Sequence, residues 1–141
     1  MKAFLDTSVL ISIFYPDHEH HQRSMDVLLR HSKGEVCCAA HSLAEVYAGL
    51  TAMPGKKRVS GDEAVLFLQN IRERMTLISL IDTEYFYVAE AAALLGLTSG
   101  AIYDLILGQC AEKAGARTIY TWNLKHFLRL GPAIASRVKT P

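Results

Sequence analysis

The sequence has little of what marks a secreted, membrane-bound or disordered chain. Only 3 of its 141 residues are cysteine, Cys37, Cys38 and Cys110, and no C-x-x-C spacing occurs. Adjacent cysteines rarely pair with each other, and all three lie inside apolar segments. They read as small buried hydrophobes of a reducing compartment rather than as a disulfide framework or a zinc site. No apolar run approaches the roughly 20 residues that span a bilayer. The opening Met1-Lys2 runs directly into a strand-like segment ending in an acid, so no signal peptide is expected, and the cysteine usage makes the cytoplasm the expected location. There is no repeat, no low-complexity tract and no proline- or glycine-rich linker. An excess of one charge is also missing: 15 Lys and Arg stand against 14 Asp and Glu, a net +1. Any nucleic-acid partner must therefore meet a local patch rather than a general basic field.

What is present is a globular composition, 50% hydrophobic and 21% charged, at a length that fits one domain over residues 1–141. Lys2 to Leu5 reads as a strand ending at Asp6, with Thr7-Ser8 as a polar turn and a short helix from Val9 to Tyr15. A helix is expected from about His18 to His31, with Met25, Leu28 and Leu29 inward and Gly34 as its stop. Residues 35–40 form a second strand. Ser42 offers an N-cap for a helix from Leu43 to about Met53, with Glu45 in the capping-box position. After the basic loop Lys56-Lys57-Arg58, Ser60 opens an amphipathic helix carrying Val65, Leu66, Leu68 and Ile71. A third strand is expected over residues 76–81, then a helix capped by Thr83 that runs through Leu95 to Gly96. Ile102, Leu105, Ile106 and Cys110 recur at helical spacing, and that helix ends at Gly115. Thr118 to Thr121 form a buried strand, Asn123 to about Leu130 a helical turn, and Val138 an edge strand. Strands separated by helices predict a three-layer α/β/α sandwich around a short, mainly parallel central sheet.

Three acids share a structural address in that arrangement. Asp6 ends the first strand, Glu45 opens the helix after the second, and Asp104 lies in the first turn of the helix at residue 101, where the helix dipole favours a carboxylate. In an open parallel sheet, strand carboxyl ends and the following helix starts lie along one edge. Two carboxylates about 4 Å apart repel by on the order of 4 kcal/mol at an effective dielectric near 20. A cation removes that cost, and oxygen-only ligands select a hard ion, Mg²⁺ or Mn²⁺.

Four segments, Leu5-Asp6-Thr7-Ser8, Ser42-Leu43-Ala44-Glu45, Ile102-Tyr103-Asp104 and Tyr120-Thr121-Trp122-Asn123-Leu124-Lys125-His126-Phe127, resemble the signature segments of PIN-domain proteins in order and spacing. They cover nearly the whole chain. Its size and lack of appendages are similar to the VapC-type toxins, PIN-domain ribonucleases paired with an antitoxin. The resemblance implies a Mg²⁺- or Mn²⁺-dependent endoribonuclease with Asp6, Glu45 and Asp104 as metal-binding acids. It also implies an RNA substrate, a homodimer and an antitoxin lying over the acidic pocket. The family often carries a fourth acid in the last segment, where this chain has Asn123, with His126 close by. Asn123 is thus a candidate catalytic residue, able to hold a metal-bound water or a neighbouring carboxylate but bringing no charge.

Around these residues, Thr7, Ser8 and Thr121 can hydrogen-bond a carboxylate, a water or a phosphate, or simply close a turn and finish a strand. Lys56, Lys57, Arg58, Arg72, Arg74, Lys125 and Arg129 are candidate RNA contacts, as is His126; Lys125 and Arg129 neighbour the site and are the stronger ones, while Arg72 and Arg74 read first as solvated cations. Trp122 and Tyr103 can stack on bases, although aromatic side chains at such positions more often pack. His18, His20 and His21 lack a ligand-like spacing and read as a solvated helix start, and His41 as a loop histidine. A rival from another class is a PIN-like RNA-binding or interaction module with weak or lost catalysis, which Asn123 keeps open. A phosphotransferase using Asp6 as nucleophile would want an acid where Ser8 stands.

Overall fold

The computed structural model describes all of residues 1–141. Five short strands form one wholly parallel sheet in the order β3-β2-β1-β4-β5: β1 (Ala3–Leu5), β2 (Val36–Ala39), β3 (Thr76–Ile78), β4 (Thr118–Tyr120) and β5 (Val138–Lys139). The expected edge strand at Val138 is present, and no antiparallel strand occurs. The strands read as continuous apolar runs because both faces are covered. Successive side chains point to opposite faces. Ala3, Leu5, Val36 and Cys38 therefore enter one core, and Phe4, Cys37, Ala39 and Ile119 the other.

The first core is closed by α1 (Thr7–Phe14), α2 (His21–Leu29), α3 (His41–Thr51) and α4 (Gly61–Arg74), through Val9, Leu10, Val27, Val46, Leu50 and Ile71. The second is closed by α5 (Asp82–Leu94), α6 (Ala101–Lys113), α7 (Leu124–Leu128) and α8 (Pro132–Ala135), through Val88, Leu107, Cys110, Phe127 and Ile134. This is the expected three-layer sandwich. The three cysteines are free and buried, and burial pushes the Cys37 thiol up to about 12 and that of Cys110 to about 11. No helix is long and apolar enough to cross a membrane.

Several local expectations are corrected. Thr7 and Ser8 are not a turn: they open α1, and Asp6 is its N-cap. The capping box at Ser42 does not form, because α3 begins at His41 after Ala40, without a side-chain cap. Ser42 instead accepts a hydrogen bond from Thr7 Oγ1 at 3.0 Å, joining the starts of α3 and α1. Helix α5 is capped at Ile81, whose amide donates to Glu84, so Thr83 lies inside the helix. Helix α2 spans His21–Leu29 rather than 18–31, and Gly34 is not its cap. Strand β3 stops at Ile78. Ser60 caps α4 as expected, accepting from the Glu63 amide at 3.2 Å. Gly96 (φ 69°) and Gly115 (φ 64°) follow α5 and α6 in the left-handed conformation that glycine adopts without a Cβ clash.

The chain leaves β1 towards β2 and β3, then returns to the other side of β1 for β4 and β5. The crevice at the carboxyl ends of β1 and β4 is thus a topological switch point, where open parallel sheets bind ligands.

Candidate active site

Asp6 stands at that crevice, 2% exposed, because β1 ends under the first turn of α1. Its Oδ2 accepts from Thr121 Oγ1 (2.7 Å), Ser8 Oγ (2.7 Å) and the Ser8 amide (3.4 Å). None of these bonds uses Oδ1. The donors are themselves fixed: Ser8 Oγ accepts from the Trp122 amide at 3.0 Å, and Thr121 Oγ1 from the Asn123 amide at 2.9 Å. The carboxylate is thereby oriented by both strands of the switch point. Burial raises its pKa, and the hydrogen bonds from Ser8 and Thr121 work against that rise.

Glu45 projects from the second turn of α3. Its pKa is pushed up to about 7, first by burial and then by the charges of Asp6 and Asp104. Its Oε1 is buried without a hydrogen-bond partner, and His41 Nε2, 3.6 Å away, is beyond hydrogen-bonding reach. Asp104 lies in the first turn of α6. Burial and the charge of Asp6 raise its pKa, while His126 and Arg129 lower it. His126 Nδ1 and Arg129 Nη2 approach Asp104 Oδ2 at 3.7 and 3.9 Å.

The structure therefore brings Asp6, Glu45 and Asp104 into one electrostatic field, with Thr7, Ser8 and Thr121 behind them and His126 and Arg129 beside Asp104. No three His, Cys, Asp or Glu side chains stand close enough together to form a ready-made ligand set. The acids share a field rather than a closed cage. Even so, the group fits a hard divalent ion: its donors are all oxygens, one of them buried and unpartnered, and their ionised forms destabilise one another. Asn123 is exposed at the N-cap of α7, and its side chain makes no hydrogen bond within the protein. Lys125 is exposed on α7 and makes no ion pair with the three acids.

Sequence reasoning passed over two neighbours of the acids. His41 is not a loop residue: it opens α3 beside Glu45 and stacks on Tyr103, with ring centroids 5.6 Å apart. Its i, i+4 spacing from Glu45 carried that signal. The histidine group is not simply a solvated helix start either. His20 lies flat on Trp122, with ring centroids 3.7 Å apart and planes 9° from parallel. Trp122 is thus packed, and Ser24 accepts from its indole N–H at 2.8 Å.

Comparison with known proteins agrees with this fold. Residues 3–131 match the model of the PIN domain. Ribonuclease VapC40 of Mycobacterium tuberculosis is 31% identical over 114 residues, covering 81% of each chain. Among solved structures, VapBC2 from Rickettsia felis, bound to a promoter DNA fragment, superposes with a TM-score of 0.67 at 22% identity, over 99% of this chain and 98% of the other. VapC20 of Mycobacterium tuberculosis, a sarcin–ricin loop cleaving toxin, superposes with a TM-score of 0.72 at 13% identity, over 89% and 92%. At these identities the two structures speak to the fold.

Proposed function

We propose that this chain, which belongs to the PIN-domain family, is a divalent-cation-dependent endoribonuclease and the toxin of a toxin–antitoxin pair. One observation carries the reading. Three carboxylates, from the β1–α1 junction, α3 and α6, share one electrostatic field at the switch point of a parallel sheet, where each is harder to ionise than in water. The 31% identity to a named ribonuclease supports RNA as the substrate.

Asp6, Glu45 and Asp104 are the residues that would hold Mg²⁺ or Mn²⁺. When bound, such an ion polarises the phosphodiester and makes a water more acidic. The protein's own groups do the rest. Thr121 and Ser8 fix Asp6 Oδ2, so that its carboxylate does not reorganise as charge develops. Glu45, with a pKa of about 7, can hold or release a proton near neutrality. His126 and Arg129 sit over Asp104, where their donors can meet a phosphate. Asn123 offers an amide whose donor and acceptor are both free. Lys125, also on α7, adds a cation for the RNA backbone.

Two protein partners belong to the same reading. An antitoxin would silence the site by laying a basic residue over the acids. A homodimer would cover exposed apolar side chains. These are prominent on α5, where Phe86 is 68% exposed and Leu94 91%, and on α2, where Leu29, expected to point inward, is 65% exposed.

The test is cleavage of single-stranded and hairpin RNA by the purified chain, with the cut positions mapped. Cuts made by the wild type and missing with Asp6→Asn support the reading. Cuts that persist unchanged in Asp6→Asn contradict it, because cleavage would then not depend on this carboxylate.

A further inference from the structure

The His20–Trp122 stack forms one wall of a second concavity beside the acids. An open cavity of about 350 Å³ lies between the Pro16–His21 segment and Trp122-Asn123, lined by Ser8, Ile11, His18, His20, Trp122 and Asn123, with Glu19 as its one carboxylate. Ser8 belongs to both places: its hydroxyl is 2.7 Å from Asp6 Oδ2 and it also faces this cavity. On the RNA-cleavage reading, a phosphate held at the acids would place its neighbouring nucleotide near this opening.

The lining is polar, aromatic and held in place before any ligand arrives. His18 Nδ1 accepts from the His20 amide at 3.1 Å, which leaves the proton of the neutral ring on Nε2 as a donor. Burial, and after it the charge of His20, lowers the His18 pKa and favours that neutral form. His20 is pinned on the indole face, and its ring centroid is 5.5 Å from that of His18. Trp122 cannot swing away, because Ser24 holds its N–H and the Arg23 guanidinium lies 5.3 Å from its ring centroid. Trp122 is accordingly the anchor and not the platform. The groups facing a ligand are the His18 and His20 imidazoles and the unpaired Asn123 amide, side chains that read the hydrogen-bonding edge of a nucleobase, with Glu19 Oε1 3.5 Å from His20 Nε2.

We propose that this cavity is a nucleotide subsite, in which His18 and His20, braced by Trp122, bind the base next to the scissile phosphate and set sequence preference at that position. The inference rests on the RNA-cleavage reading but is tested by binding as well as by cleavage. Trp122 is the only tryptophan in the chain, so tryptophan emission reports on its own surroundings, this cavity and the adjoining concavity it forms with Leu124, Lys125 and His126.

The experiment uses the cleavage-silenced Asp6→Asn protein and a set of short single-stranded oligoribonucleotides differing at one position, titrated against Trp122 emission. A saturable emission change is expected, with Kd varying about tenfold or more across the set, as one well-made base contact provides. Adding His20→Ala or His18→Ala should flatten that variation. His20→Phe keeps a stacked ring without the imidazole nitrogens and should flatten it too, which separates base contact from packing. In parallel, the wild-type background carrying His20→Ala should cut RNA with broadened site choice. If emission is unaffected by RNA, or if Kd keeps its base dependence in all three variants, the subsite is overturned. RNA that binds with base dependence but is never cut would leave the subsite standing and remove the nuclease reading.

Discussion

Thr121 Oγ1 donates to Asp6 Oδ2 at 2.7 Å, across 115 residues of sequence and across the one place where the strand order reverses. The bond ties the end of β4 to the end of β1 and fixes which oxygen of the carboxylate is already satisfied. Thr121→Val removes it with little change in shape and leaves a buried carboxylate short of one donor. The cost to stability should be about 1–3 kcal/mol, read from denaturant unfolding. Cleavage should fall at least about tenfold, with Thr121→Ser restoring most of it. Equal rates for Val and wild type would mean that Asp6 needs no such orientation.

The Glu45 carboxyl supplies a pH signature. Its folded pKa of about 7 lies above its ordinary 4.5, so the folded state binds more protons than the unfolded chain between those values. Stability of the ion-free protein should therefore fall as pH rises from about 4.5 to about 7. Glu45→Gln should abolish most of that fall. Mg²⁺ or Mn²⁺ added at pH 8 should raise Tm by several degrees and do far less at pH 5, where Glu45 is protonated and cannot serve as a ligand. Thermal scans over pH with and without the ion check both statements, and a pH-independent Mg²⁺ effect would contradict them.

Much of this site was legible in the sequence because it depends on the order of elements. Asp6, Glu45 and Asp104 each follow a strand or open a helix, and a parallel sheet places such positions on one edge without further information. Thr121, expected to end its strand, lies one residue past the end of β4 and so at the same edge. The misreadings came from local rules that the fold overrode. Ser42 and Glu45 have capping-box spacing, but Thr7 claims the serine hydroxyl and the acid field claims Glu45. Thr7 and Ser8 look like a turn, yet Asp6 caps α1 directly and brings them into its first turn. The His20–Trp122 stack joins residues about a hundred positions apart, and no periodicity records such a contact.

Asn123 brings no charge to the position where the PIN-domain resemblance implies an acid. Asn123→Asp should lower the Mg²⁺ concentration for half-maximal cleavage, because one more negative charge holds a divalent ion more tightly. Asn123→Ala should raise that concentration more than it lowers the saturated rate. Mg²⁺ titrations of the three proteins in one buffer decide the matter. Superimposed curves would make Asn123 a bystander to the ion.

A homodimer is expected at micromolar concentration, given the apolar side chains left exposed on α5. Light scattering over a dilution series measures it directly. A monomer at every working concentration would contradict that part of the reading.

The central claim is that three carboxylates, oriented by the fold and made costly to ionise, cleave RNA only when a hard divalent ion joins them. The direct measurement is the cleavage rate of one defined RNA by the wild type and by Asp104→Asn, each in Mg²⁺ and in EDTA, with folding of both matched by circular dichroism. The account predicts rapid cleavage for the wild type in Mg²⁺ and a loss of at least about a hundredfold in the other three arms. Wild-type protein that cuts equally well in EDTA, or Asp104→Asn that cuts like the wild type, would contradict it.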